Sequence, residues 1–155
     1  MNTRDNEDWN HPTVAPRRNR RQLWSIVTAT LATAIFAEAA FAGAMLSGVG
    51  WGHALHRATA GVLIASALLA GLIAMVRLRR VANGMRLASS LAALAVALCL
   101  QAALGGISAH GTNLMWLHVP LGVALVGIAM QCATRARTLG EETTSLAAAR
   151  GYTSR

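Results

Sequence analysis

The stretch GHALHRATAGVLIASALLAGLIAMV, residues 52–76, decides the fold that this sequence predicts. It places His53, His56 and Arg57 at the start of an apolar run. As a helix, that run is long enough to cross the hydrocarbon core of a bilayer, which is about 30 Å thick. Ionisable side chains are costly at membrane depth and are therefore functional hypotheses by default. The stretch thus predicts a transmembrane helix that begins with a candidate site.

Three further apolar runs predict three further helices and an all-α fold, a four-helix transmembrane bundle spanning residues 23–134. Hydrophobic residues make up 54% of the 155-residue chain and charged residues 13%, which argues against an ordinary soluble domain. A disordered basic tail is predicted over residues 1–22, and a polar cytoplasmic tail over residues 135–155. The four helices are expected at residues 23–46, 53–76, 87–107 and 114–132.

The basic residues predict which side of the membrane each loop faces. All fourteen are arginines, and thirteen lie in the two tails or in the loop between runs two and three; Arg57 is the exception. The positive-inside rule then places both termini in the cytoplasm and the histidine-bearing loops outside. Alanine and arginine richness without lysine favours a bacterial inner (cytoplasmic) membrane. A nucleic-acid partner is not expected, because aromatic residues do not interleave with the arginines.

The two halves of the chain resemble each other. The sequence EAAFAG at residues 38–43 corresponds to QAALGG at residues 101–106, and each is followed by a turn and by a helix that begins near a histidine, His56 or His118. This pattern predicts two αα-hairpin pseudo-repeats related by an axis along the membrane normal. Such an axis would bring His56 and His118 to face each other at similar depth.

His56 and His118 are the leading candidates for chemistry. Imidazole is an axial ligand of haem iron, and cofactors bind in the cores of helix bundles. Two histidines from different helices can therefore ligate one haem iron; the alternative is hydrogen bonding to lipid headgroups. Together with His53 and His110, they can instead bind copper or zinc on the outer face.

Four other residues join the candidate site. Arg57 can pair with a haem propionate or extend toward headgroups. His53 can support the ligands or carry protons. Glu38 and Gln101 can hydrogen-bond a cofactor, a quinone or each other, or make an ordinary interhelical contact.

Small residues and cysteines accompany these polar groups. Five glycines can let helices or a flat macrocycle approach closely. Cys99 and Cys132 lie inside apolar runs and are expected to be packed thiols without a disulfide. The five glycines are Gly43, Gly61, Gly105, Gly106 and Gly122.

In these motifs the chain, over roughly residues 37–130, resembles one four-helix half of the haem A synthase family. The HALHR sequence is similar to that family's acid-x-x-His-Arg motif, Gln101 precedes a Gly-Gly pair, and His118 stands near the start of the fourth helix. The resemblance implies a bis-histidine haem site at the outer side. His53 replaces the family's acid, the outer-loop cysteine pair is absent, and one half is present. The resemblance therefore implies haem binding rather than haem A synthesis by this chain alone. Small bacterial four-helix membrane proteins share the layout.

The sequence thus predicts an integral membrane protein that binds a single b-type haem between helices two and four, for electron transfer or haem handling. Whether it is an enzyme is left open; if so, it would be a haem-dependent oxidoreductase. The alternatives are a cofactor-free accessory subunit of a membrane complex and an outer-face copper- or zinc-binding protein. Expected partners are membrane lipids, a quinone or redox partner, and a second copy or a larger complex.

Overall fold

The computed structural model describes residues 15–139, with side chains from residue 19 onward. Within this range the chain forms four α-helices joined by short turns. Each helix is long and apolar enough to cross a membrane by length and composition, which fits a multi-pass membrane protein. The predicted all-α, four-helix architecture is confirmed. The helices are α1 Ala15–Leu46, α2 Gly52–Arg77, α3 Gly84–Ala109 and α4 Met115–Arg137.

The first and last helices extend further than predicted. Helix α1 begins at Ala15, so the prediction of disorder was wrong for residues 15–22; residues 1–14 lie outside the described part. Arginine is a good helix former, and Pro16 lies in the first turn, where its missing N–H is tolerated. Helix α4 continues to Arg137, beyond the predicted end at residue 132, and the rest of the C-terminal tail from residue 140 is outside the described range.

The helices pack in a square. Each contacts its neighbours in the chain, and α1 also packs against α4. Along the described helices, the Cα atoms of α2 and α4 nowhere approach within 8 Å, and neither do those of α1 and α3. Helices α2 and α4 therefore stand diagonally across the bundle.

Burial divides the bundle into two halves. The packed half comprises residues 24–35, 63–78, 87–98 and 125–136, and it contains nearly all of the buried apolar side chains of the described chain. Small residues let the backbones meet there: a Cβ at Gly71 would lie 3.5 Å from the backbone nitrogen of Ala92. The histidine half comprises residues 36–46, 52–62, 99–109 and 115–124. Among these residues, Gly52 alone is buried.

Glycine is required where the first two connections meet a helix. A Cβ at Gly52 would lie 2.6 Å from the backbone nitrogen of Met45, and one at Gly84 would collide with the Leu78 carbonyl oxygen. Asn83, which precedes Gly84, has a left-handed φ of 59°, a conformation that asparagine tolerates. These contacts hold the hairpin partners close at their ends.

The outer surface of the described helices is strongly apolar, with exposed side chains that include Phe36, Val62 and Val123. This composition fits contact with membrane lipids. The expectation of two packed thiols holds for Cys132, which is buried, and was wrong for Cys99, which is exposed on α3.

Candidate functional site

His56 and His118 occupy corresponding places in the bundle. His56 is the fifth residue of α2, and His118 is the fourth residue of α4. Because successive helices alternate in direction, α2 and α4 both begin at the histidine end, so each ring lies about one turn inside the same end.

His56 contacts a carboxylate on the neighbouring helix. Its Nδ1 lies 2.9 Å from Oε1 of Glu38, and the two side chains are only 20% and 14% exposed. The Thr59 hydroxyl is placed to donate to the other oxygen, Oε2, or to the Leu55 carbonyl oxygen at 2.7 Å. Nδ1 and Oε1 are close, but the ring N–H is not aligned for a well-formed hydrogen bond. Glu38 is thus held between two residues that share one face of α2.

His118 is held by a reciprocal pair of contacts with Gln101 on α3. Its Nδ1 lies 3.1 Å from the Gln101 backbone carbonyl oxygen, and the Gln101 side-chain amide donates to the His118 carbonyl oxygen at 2.9 Å. A neutral imidazole can donate from Nδ1 to this carbonyl. In each hairpin, therefore, the polar residue of the first helix contacts the histidine of the second.

Two of the five glycines explain how α3 and α4 approach at this level. A Cβ at Gly105 would lie 3.0 Å from Cε1 of His118, so the imidazole lies against the bare backbone of α3. A Cβ at Gly122 would lie 3.1 Å from the Gln101 side-chain nitrogen. The close approach expected at the other three positions is not found, since a Cβ at Gly43, Gly61 or Gly106 would meet nothing within 4 Å.

The remaining predicted site residues are not drawn into this cluster. His53 and Arg57 are exposed on the first turns of α2. His110 terminates α3, and its Nδ1 lies 2.7 Å from the Gly106 carbonyl oxygen. Over residues 15–139, no three His, Cys, Asp or Glu side chains come together as metal ligands. A copper or zinc site built from several protein ligands therefore has no support in the described chain.

Several polar atoms of the histidine half are buried without a well-formed hydrogen bond. Besides Glu38 Oε1 and His56 Nδ1, they include Gln101 Oε1 and Ser108 Oγ. Buried polar groups are normally paired, because leaving one unpaired costs about 1–3 kcal/mol. All four of these unpaired atoms of the described bundle lie at the histidine end, where water or a ligand can supply hydrogen-bond partners.

Sequence reasoning missed Thr59 and Ser108. The signal for Thr59 was present, because a hydroxyl three residues after His56 lies on the same helical face. Ser108 was assigned to a loop, but it lies in the last turn of α3, so its burial follows from the longer helix.

The donor set fits haem iron. Each histidine has an oxygen beside its Nδ1, the Glu38 carboxylate for His56 and the Gln101 backbone carbonyl for His118. Among the described residues, neither Nε2 takes part in a hydrogen bond. A ligating histidine commonly gives its other ring N–H to such an acceptor, which fixes the tautomer and orients the ring. Imidazole nitrogens on two different helices are the kind of donor that a bis-histidine site requires.

Comparison with known proteins found no matching family model, no matching curated protein and no matching solved structure. The resemblance to haem A synthase therefore rests on the motif residues alone.

Proposed function

We propose that this chain binds one b-type haem in the histidine half, with His56 and His118 as the residues that would hold its iron, and serves electron transfer or haem handling. One observation carries the proposal. Each ring has its Nδ1 beside an acceptor on the neighbouring helix, and each stands about one turn inside the same end of diagonal helices. Headgroup contact by two surface histidines explains neither shared feature.

The arrangement of the bundle supports the same proposal. Below the histidines, buried leucines and alanines fix the helices relative to each other. Above them, side chains are half-buried or exposed, so this end is free to accept a ligand. Bound haem supplies one-electron chemistry at its iron. The contacts of Nδ1 orient both imidazoles, and Arg57 at the start of α2 is the proposed partner of a propionate.

The proposed setting is a bacterial inner membrane, with both termini in the cytoplasm and the histidines near the outer face. The thirteen arginines of the tails and the middle loop support this orientation. The parallel contacts Glu38–His56 and Gln101–His118 support two αα-hairpin pseudo-repeats, since each joins corresponding positions. The resemblance to one half of haem A synthase stays part of the proposal.

The deciding experiment is a reduced-minus-oxidised visible spectrum of the full chain, purified after expression with ample haem. We expect a low-spin bis-histidine spectrum in the wild type and its loss in His56→Ala and His118→Ala. His53→Ala and His110→Ala are the matched controls, and they should keep a low-spin haem. All four variants should still insert, because the apolar helices alone specify insertion.

A wild-type protein without haem, or an unchanged spectrum in both ligand variants, refutes the assignment. The orientation is tested separately by cysteine labelling of intact cells at Thr112→Cys, an exposed loop position, and at Asn83→Cys. We expect labelling from outside at position 112 only. Labelling at position 83 would overturn the orientation.

A cofactor-free accessory subunit is the second candidate, and one surface feature favours it. A groove of about 550 Å³ runs between α1 and α2, lined mainly by apolar side chains that include Val27, Leu31, Val62 and Leu63. A helix of a partner subunit can occupy such a groove. If the wild type carries no haem and co-purifies with a membrane complex, this function replaces the first.

A further inference from the structure

The two candidate ligands have different partners. Nδ1 of His56 lies beside the carboxylate of Glu38, at 2.9 Å, whereas Nδ1 of His118 lies beside a backbone carbonyl, at 3.1 Å. Gln101 stands where Glu38 stands in the other hairpin, but its side chain donates to the His118 backbone and not to the imidazole. The Glu38 side chain therefore lies beside the imidazole of His56, whereas the Gln101 side chain does not contact the imidazole of His118 through a hydrogen bond.

Glu38 is itself anchored. One oxygen contacts His56 and the other contacts the Thr59 hydroxyl, so the carboxylate bridges residues one turn apart on α2. The Thr59 hydroxyl is in turn held at 2.7 Å from the Leu55 carbonyl oxygen. The contact of Oε2 with the Thr59 hydroxyl therefore helps to keep Oε1 beside the ring.

We propose that Glu38 is a positioning residue, which holds the proton of neutral His56 on Nδ1 and leaves the Nε2 lone pair as the donor. A neutral imidazole carries one proton, and an acceptor beside Nδ1 draws it there. A carboxylate partner also makes the ring a stronger electron donor than a carbonyl partner does. His56 is thus the stronger of the two candidate ligands. This consequence rests on the proposed haem function, whereas the tautomer of His56 is independent of haem binding.

The first test needs no haem. The full chain, labelled with ¹⁵N-histidine and purified in detergent without haem, is measured by long-range ¹H–¹⁵N correlation in the wild type and in Glu38→Leu. We expect His56 to carry its proton on Nδ1 in the wild type and to shift toward the Nε2-protonated form in the variant. Gln101→Leu is the matched control. It should leave the proton of His118 on Nδ1, because the acceptor beside that nitrogen is a backbone carbonyl.

The second test uses the haem-loaded protein. Glu38→Gln keeps the shape of the side chain and removes the charge. We expect its haem dissociation constant to rise about 10- to 100-fold and its midpoint potential to rise, since ferric iron loses the stabilisation of a strong donor. Thr59→Val should move both quantities in the same direction by less, because the carboxylate stays but loses one anchor.

The outcomes separate the two proposals. Protonation of His56 Nε2 in the wild type, or an identical tautomer in wild type and Glu38→Leu, overturns the positioning role. If Glu38→Leu loses helix content, the same judgement rests on the wild-type tautomer and on the potential of Glu38→Gln, and an unchanged potential there also overturns the role. A wild type without haem refutes the proposed function, while an Nδ1-protonated His56 that responds to Glu38→Leu still supports the role of Glu38.

Discussion

The packed half and the histidine half use the same four helices in opposite ways. In the packed half, leucines and alanines close the space between helices, and Ala67, Leu87 and Leu91 are fully buried. In the histidine half, polar side chains bridge the helices, and most other side chains are exposed to some degree. The difference teaches that the bundle separates its apolar core from its cluster of interhelical polar contacts. The packed half fixes helix positions, so the histidine half need not be filled by its own side chains.

The largest expected effect on the free energy of unfolding comes from a substitution in the packed half. Leu91→Ala removes a fully buried side chain of the apolar core, and we expect it to lower the free energy of unfolding by about 2–4 kcal/mol. The matched change Leu55→Ala, at a 40% exposed position of the histidine half, should cost well under about 1 kcal/mol. Unfolding in mixed micelles, followed by circular dichroism, measures both. Equal losses would show that the two halves contribute alike.

A smaller effect tests the polar contact of the packed half. The Arg135 guanidinium donates to the Arg86 carbonyl oxygen at 3.1 Å and contacts the Ser90 hydroxyl, joining α4 to α3. We expect Arg135→Ala to cost about 1–2 kcal/mol in unfolding free energy, since hydrogen bonds from a charged donor are the stronger ones. Arg137→Ala is the control. It removes the same charge from an exposed position two residues further along α4. If both variants lose the same stability, charge is responsible and not the contact.

Two adjacent glycines, Gly105 and Gly106, test how closely α3 approaches His118 in the histidine half. Alanine is favoured over glycine inside a helix by about 1 kcal/mol. Gly106→Ala should realise that gain, because its Cβ meets nothing within 4 Å. Gly105→Ala should forfeit it, because its Cβ presses on His118, and the contact of that ring with the Gln101 carbonyl should weaken. Thermal unfolding and the ¹⁵N shifts of His118 measure these two effects. Equal stability and unchanged shifts in both variants would contradict the close approach of Gly105 to His118.

The smallest effect concerns Gly122, whose added Cβ would meet the Gln101 side-chain nitrogen at 3.1 Å. That nitrogen ends a flexible side chain, so it can move, and Gly122→Ala should be only a few tenths of a kcal/mol less stable than Gly127→Ala on the same helix. A Cβ at Gly127 meets nothing within 4 Å. The same unfolding assay compares the two. Gly122→Ala being the more stable would mean that Gln101 is not held at His118.

The sequence by itself determined the four helices and the residues worth testing. Apolar runs of membrane-spanning length leave the backbone no alternative to helix, because hydrocarbon cannot satisfy its N–H and C=O groups. The recurrence of a polar residue before each histidine, Glu38 before His56 and Gln101 before His118, is likewise visible in the letters. The sequence did not determine the helix ends: α1 and α4 both extend further than predicted, since arginine-rich termini favour helix as readily as they favour a tail.

Only the tertiary structure decided which atoms meet. Glu38 and Gln101 look equivalent in sequence, yet one contacts an imidazole through its side chain and the other mainly through its backbone. His53 is one turn from His56 but remains exposed, and Thr59 takes the place beside Glu38. These outcomes depend on helix rotation and on the separation of neighbouring helices, which the packed half sets through contacts remote from the site. Periodicity fixes what each helix can present, whereas packing fixes the rotation that selects which of those groups meet.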